Sequence, residues 1–229
     1  SIQGGQSVSS VVTDKGQYPA DLVVLSIGVR PATEFLRDTG IQMAPNGALI
    51  VDREMRTSIA DIWAAGDCSL VYHKGLKENA FLALGTVANK CGRIAGENIM
   101  GKHIKFTGAL ASAAIKVCDL EMGRTGLGEA EAQRQAIDYR TVIVEAMDHP
   151  AYYPDPTPIT IKLIYEAGTR RLLGAQTAGI KGAVMRVDVF AVAIHNNMTT
   201  DELGMTDLVY APPFAGVWDA VHIAANAAK

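Results

Sequence analysis

Much of what would steer this sequence of 229 residues toward a membrane, a nucleic acid or a metal is missing from it. No apolar run approaches the ~20 residues a helix needs to cross a bilayer. The opening Ser1-Ile2-Gln3-Gly4 lacks the pattern of a secretory leader, so no membrane partner is expected. Lysine and arginine form no basic run and the formal net charge is −3, which argues against nucleic acid or an anionic lipid surface. The three cysteines, Cys68, Cys91 and Cys118, are odd in number and show no C-x-x-C spacing. A disulfide scaffold is therefore excluded, a reducing and cytoplasmic setting is expected, and no metal site is expected. No Gly-x-Gly-x-x-Gly turn occurs either. Gly4-Gly5 is too short, and Gly123-Arg124-Thr125-Gly126-Leu127-Gly128 has the wrong spacing and no apolar strand feeding it.

What is present centres on Thr57–Asp67. Ile59, Ile62, Trp63, Ala64 and Ala65 predict a short apolar strand running into Gly66-Asp67. Such a strand delivers one carboxylate to the carboxyl edge of a sheet, where open α/β folds bind ligands. Gly66 lets a backbone approach closely, and an ionised Asp67 accepts hydrogen bonds from a polyol. A helix N-cap aspartate after an α/β strand fits the same residues. Around this segment, Ser1–Gly16 is polar and hairpin-like and Leu22–Ile27 predicts a strand. A short helix is expected near Thr33–Thr39 and a longer one over Ala83–Met100, stopped by Gly101.

From about residue 104 the pattern changes. Ala113–Val117, Arg140–Glu145, Ile159–Glu166 and Leu172–Thr177 predict strands, the last two joined by a turn at Ala167–Arg171. Helices follow over Gly182–Asn196, with Met185, Val189, Val192 and Ala193 on one face, and over Val217–Ala228, with Val217, Ala220, Val221 and Ala224 on one face. Strands followed by helices indicate α+β. Cys91 lies on an apolar helical stripe and Cys118 ends a strand, so both are expected to be packed.

Several blocks carry a family likeness. Tyr18-Pro19-Ala20-Asp21-Leu22-Val23-Val24-Leu25-Ser26-Ile27-Gly28-Val29-Arg30-Pro31, the Thr57–Asp67 segment and Leu82–Arg93 resemble blocks of the flavin-dependent pyridine nucleotide-disulfide oxidoreductases. So do Arg124–Leu127 and Tyr210-Ala211-Pro212-Pro213-Phe214. The nearest likeness is to the coenzyme A-disulfide reductase and NADH oxidase/peroxidase branch. The resemblance implies a partial FAD/NAD(P)-binding, Rossmann-like α/β part followed by an α+β antiparallel-sheet dimerisation domain. Residues 1–32 would be the tail of an NAD(P)-binding domain, 33–103 the second half of an FAD-binding domain, and 104–229 the dimerisation domain. The glycine turns and redox cysteine of the family would then lie in a longer protein of which this is the C-terminal part.

The same resemblance implies roles for particular residues. Asp67 would meet a ribityl hydroxyl of FAD, and the helix starting at Ala83-Leu84-Gly85 would point its N-terminus at the flavin pyrimidine edge. An ordinary helix start fits those residues equally. Tyr210, held by Pro212-Pro213, would cross a homodimer to the partner's flavin. Tyr152 would approach a sulfur substrate, or pack as an amphipathic core residue. A lysine that coenzyme A-disulfide reductases carry after Pro-Pro-Phe is replaced by Trp218-Asp219, where Trp218 also suits a helix-start packing anchor. His149, His195 and His222 are expected at the surface or in caps. The implied activity is NAD(P)H-dependent, FAD-mediated reduction of coenzyme A disulfide or another small thiol or disulfide substrate. Reduction of oxygen or peroxide is the alternative, and a non-catalytic dimerisation module is the expectation for these residues in isolation.

Overall fold

The polar stretch at the start of the chain folds into a small, largely exposed antiparallel meander. In the computed structural model, which describes residues 1–229, the strands are β1 (Ile2–Gly4), β2 (Val8–Thr13) and β3 (Gly16–Pro19), in the order β1-β2-β3. The Thr13 hydroxyl accepts the Lys15 N–H and closes the β2–β3 turn. These strands belong to one compact unit, Ser1–Arg30; the remaining residues, Pro31–Lys229, form a second.

The second unit begins with a 3-10 helix, Glu34–Thr39, ended by Gly40 at φ +78°. A short hairpin of β4 (Leu70–His73) and β5 (Glu78–Phe81) then leads to α1 (Gly85–Ile99). Val87, Cys91, Ala95 and Asn98 recur at helical spacing and are the buried side of α1. Val87, Cys91 and Ala95 pack with Leu49, Val51, Met55, Val71 and Phe106 into a first apolar core. Asn98 is buried because its amide is fully used: it donates to Glu54 O and Ile104 O and accepts from Ile104 N.

Downstream lie β6 (Ala113–Val117), β7 (Leu120–Gly126), α2 (Glu129–Arg134), β8 (Tyr139–Met147), β9 (Pro158–Glu166) and β10 (Leu172–Gly179). Three helices end the chain: α3 (Ala183–His195), α4 (Thr200–Gly204) and α5 (Ala220–Ala227). The five strands form one antiparallel sheet in the order β6-β7-β10-β9-β8. Helix α3 lies on β7 and β10 and α5 on β8 and β9. The second core fills the space beneath them, with Ile159, Ile161, Leu163, Leu172, Phe190, Ala220, Val221 and Ala224 nearly inaccessible. Gly123 permits the close approach of α3, since a Cβ there would stand 2.6 Å from Val187 Cγ2.

The four strands expected after residue 104 and the helices α1, α3 and α5 are present within a few residues of their expected ends. Other expectations need correction. Leu22–Ile27 is not a strand: no neighbouring strand hydrogen-bonds to it, so no ladder forms, and Leu22, Val24, Leu25 and Ile27 are 70–90% exposed. Ile59–Ala65 is not a strand over its length. Thr57 Oγ1 accepts from Ile59 N, Ile62 N donates to Ile59 O and Asp61 takes φ +62°, so the first half is a turn. Only a single bridge, Arg56 to Trp63, remains of it. Cys118 is exposed at φ +52° in the two-residue β6–β7 turn rather than packed.

The inward face of α3 is also different. Ala183, Val187, Phe190, Ala193 and Ile194 are buried, whereas Met185 and Val192 are 69% and 61% exposed. This helix is apolar on nearly every side, so periodicity could not orient it. In α5 the expected Ala220, Val221 and Ala224 face inward, while Val217 lies outside the helix and is exposed. The two α3 positions separate these readings. Phe190→Ala is expected to lower unfolding free energy by about 3–5 kcal/mol, and Met185→Ala to change it by less than about 0.5 kcal/mol, both measured by urea denaturation.

Candidate functional site

Two clusters contain the residues singled out from the sequence. The first is the corner at Gly66-Asp67. Gly66 has φ +93°, a left-handed conformation that penalises any side chain. Its carbonyl accepts both the backbone N–H and the hydroxyl of Ser69, which fixes the turn. A Cβ on Gly66 would be 3.8 Å from the Ala88 side chain, so the corner sits against the first turns of α1. Asp67 is exposed and its carboxylate has no hydrogen-bond partner in the chain. It does not cap a helix.

Helix α1 begins at Gly85 after Leu84, whose extended backbone supplies the N-cap without any side-chain cap. Ala83 and Leu84 are half-buried, and Leu84 packs on the first core. Gly85 is exposed, with open space where a Cβ would stand. The first N–H groups of a helix have no partners within it, and carry its positive end. An unshared carboxylate and an uncapped helix start therefore lie on one corner. One accepts hydrogen bonds from hydroxyls, and the other favours an electron-rich ring edge.

The second cluster joins two residues 58 apart in sequence. Tyr152 Oη lies 2.9 Å from Tyr210 Oη. Tyr152 is carried by the loop after β8 and is 73% exposed; Tyr210 precedes the Pro212-Pro213 pair and is 46% exposed. Tyr152 is therefore not a core residue. The hydrogen bond to Tyr210 raises the Tyr152 phenol above its ordinary value, with smaller contributions from burial and from repulsion between the two phenolates. Phe214, Val217 and Trp218 are exposed in the same loop as Tyr210. No hydrogen bond joins this tyrosine pair to the Asp67 corner.

Histidines and cysteines complete the inventory. His222 does serve in a cap, as Nδ1 accepts from Asp219 N at the start of α5, and Trp218 packs edge-on against its ring. His195 is exposed in the last turn of α3. His149 is buried, contrary to expectation, because its Nε2 finds Pro154 O and its neighbour Asp148 shares the site. Burial pushes the Cys91 thiol up to about 11, as suits an inert core residue. The buried polar group of Asp148, His149, Arg186, Asp219 and His222 was not found from the sequence. Its one legible sign was the Asp219-to-His222 spacing of a helix cap.

A mixed fold of this kind, with a Gly-Asp corner beside a bare helix start and a helix-backed antiparallel sheet, is shared with solved structures of nucleotide-dependent oxidoreductases. More particularly, the chain belongs to the pyridine nucleotide-disulphide oxidoreductase family: residues 1–116 match the family domain and residues 112–221 match its dimerisation domain. It is similar to the NAD(P)H sulfur oxidoreductase (CoA-dependent) of Pyrococcus furiosus, at 39% identity over 100% of this chain and 52% of that protein. Among solved structures it resembles an NAD-dependent persulfide reductase from A. fulgidus, with TM-score 0.89 and 39% identity over 93% of this chain and 39% of that one. It also resembles a water-forming NADH oxidase from Lactobacillus brevis bound to NADH, with TM-score 0.91 and 33% identity over 98% of this chain and 50% of that one. The chain spans about half the length of the curated relatives it matches.

The tyrosine pair yields a direct spectroscopic expectation. Near-UV phenolate titration of wild type minus Tyr152→Phe isolates the Tyr152 phenol. In the Tyr210→Phe background that phenol should titrate at lower pH, because its neutral form has lost the bond that favoured it. An unchanged curve would contradict the 2.9 Å contact.

Proposed function

We propose that this chain is the cofactor-facing and dimer-forming half of an FAD-dependent NAD(P)H oxidoreductase that reduces a small sulfur substrate, coenzyme A disulfide or a related disulfide or persulfide. The observation that carries the sulfur reading is the Tyr152–Tyr210 hydrogen bond. Of two bonded phenols, one spends its proton on the other, and the acceptor keeps a free O–H. Hydrogen bonds in series polarise each other, so that remaining donor is strengthened. A thiolate or sulfenate is an anionic acceptor of such a donor. With its phenol raised, Tyr152 keeps its proton at neutral pH. The pair can thus hold a sulfur leaving group without a histidine.

Residues of the Asp67 corner fit FAD by their donor and acceptor character. Asp67 would accept from a ribityl hydroxyl, and Ala83, Leu84 and Gly85 would present the start of α1 to the pyrimidine edge. Bound FAD would supply hydride acceptance from NAD(P)H and delivery of the two electrons to an oxidised sulfur, a disulfide, sulfenate or persulfide, which leaves as thiol. The Gly-x-Gly-x-x-Gly turn that would grip its pyrophosphate is not among residues 1–229, so this polypeptide alone is expected to lose the flavin.

Reduction of oxygen or peroxide on the same scaffold is the second reading. It is favoured by Trp218, which stands exposed where a coenzyme A-binding lysine is absent, and by the likeness to NADH oxidases. A homodimer is part of the proposal. Its support is the dimerisation-domain match and the uncovered face of the five-stranded sheet, where Ile115 and Ile143 are more than half exposed. In a dimer Tyr210 would serve the partner's flavin.

Three measurements test these statements. In the flavin-loaded enzyme that contains this chain, Asp67→Ala should release FAD more readily on gel filtration. Tyr210→Phe should retain FAD while lowering turnover with coenzyme A disulfide by about a hundredfold, the low end of what a lost donor to a developing charge costs. Unaltered turnover in Tyr210→Phe would remove the phenol pair from the mechanism. Sedimentation of residues 1–229 at micromolar concentration should give a dimer, and Ile143→Glu on the open sheet face should give a monomer; a monomeric wild type would refute the assembly.

A further inference from the structure

The loops that carry Tyr152 and Tyr210 are exposed, yet their bases are anchored in one buried polar group. At the base of the first, Asp148 N donates to Thr157 O and Thr157 N donates to Asp148 Oδ1, closing residues 149–156 into a loop. Inside it His149 Nε2 meets Pro154 O at 3.0 Å, and the ring packs edge-on against Tyr153. His149 Nδ1 lies 2.9 Å from Asp148 Oδ2. Burial pushes the Asp148 carboxyl up, but the Thr157 N–H and His149 outweigh it and hold the carboxyl below its ordinary range. The loop base therefore carries a settled negative charge.

The second loop is fixed at both ends by α5. His222 Nε2 donates to Thr206 O, four residues before Tyr210, while its Nδ1 accepts from Asp219 N just after Trp218. Asp219 Oδ1 also accepts from Val221 N and caps the helix.

One side chain bridges the two bases. The Arg186 guanidinium, on α3, gives Nε and Nη2 to the Asp219 carboxylate at 2.7–3.0 Å, Nη2 to Asp148 O at 2.8 Å and Nη1 to Gly182 O at 3.1 Å. Its side chain is 11% exposed and that of Asp219 10%. Its planar fork can meet the Asp219 carboxylate and the Asp148 carbonyl together; a lysine ammonium is a single point charge on a flexible stem. We infer that Arg186, through Asp219 and Asp148 O, is a positioning residue that sets the two tyrosine loops in register so that Tyr152 Oη and Tyr210 Oη meet. This inference rests on the reading of the phenol pair as functional only for its consequence in turnover; the geometric part stands by itself.

The test is a double-mutant comparison on the Tyr152 phenol, isolated by subtracting Tyr152→Phe. In the wild-type background, Tyr210→Phe lowers the pH at which Tyr152 ionises. In the Arg186→Lys background, Tyr210→Phe should have no effect, because the phenols no longer meet, while far-UV circular dichroism is unchanged. Asp219→Asn, which keeps the helix cap and removes the charge, should give the same loss. A full Tyr210→Phe shift in either folded variant would overturn the inference. Collapse of the fold in both variants would also overturn it, since the pair would then be required by the sheet and helices themselves. In the flavin-loaded enzyme the two readings separate. If Arg186→Lys uncouples the phenols but neither it nor Tyr210→Phe changes turnover, the positioning is right and the sulfur-donor role is wrong.

Discussion

The structure of residues 110–229 depends on burying the central β9–β10 pair on its helix-facing side. Ile159, Ile161, Leu163 and Leu172 are shut from water almost completely, and each such side chain contributes roughly 1.5–3 kcal/mol when fully buried. That burial requires a lid, and α3 and α5 supply it with small or flat residues: Ala183, Phe190, Ala193, Ala220, Val221 and Ala224. Alanine keeps helix and sheet close, and Gly123 removes the last obstacle on β7. Once both helices are seated, their N-terminal ends approach each other, and Arg186 and Asp219 come into reach. The polar group under the loops is thus a product of the apolar packing above the sheet. A buried ion pair of this kind is weak evidence of stability in itself; its value lies in the geometry it fixes.

The chemistry divides between two places on the chain. At the Asp67 corner the groups are bare: a carboxylate without a partner, a helix start without a cap and a glycine with no side chain to block approach. At the loops the two exposed phenols are backed by a network centred on Arg186, whose guanidinium donates to Asp219, Asp148 O and Gly182 O. Under the proposed function, the first arrangement would receive a ligand by leaving groups unsatisfied, and the second would present a donor held in place by the ion pair beneath it.

Much of the architecture was legible because it follows local periodicity. β9 alternates, α1 repeats its apolar residues at helical spacing, and both survive in the fold. Failures occurred where structure depends on something periodicity does not record. Leu22–Ile27 has the composition of a buried parallel strand, but a strand needs a neighbour to bond with. β7 was overlooked because Gly123, Gly126, Glu121 and Arg124 dilute its pattern, although pairing with both β6 and β10 makes it an interior strand. In α3 a surplus of apolar residues erased the direction of the face. The site was legible only in part. Asp67 stood out because an apolar segment runs into Gly66-Asp67, whereas Tyr152 and Tyr210 rest on family likeness, and no spacing rule could say that two tyrosines 58 positions apart share a hydrogen bond. Nothing local to Arg186 reveals that it reaches two distant loop bases.

The turn between β6 and β7 has a use of its own. Cys118 stands at its tip in a left-handed conformation, open to water, whereas Cys91 is sealed in a core and Cys68 is half-covered. β6 is the edge strand of the sheet. A maleimide dye or nitroxide would therefore attach preferentially at one point, beside the sheet face that a second copy would cover. If copies pair through that face, as proposed, Cys118 gives this chain, without any engineered cysteine, a fixed point from which the distance between them can be followed.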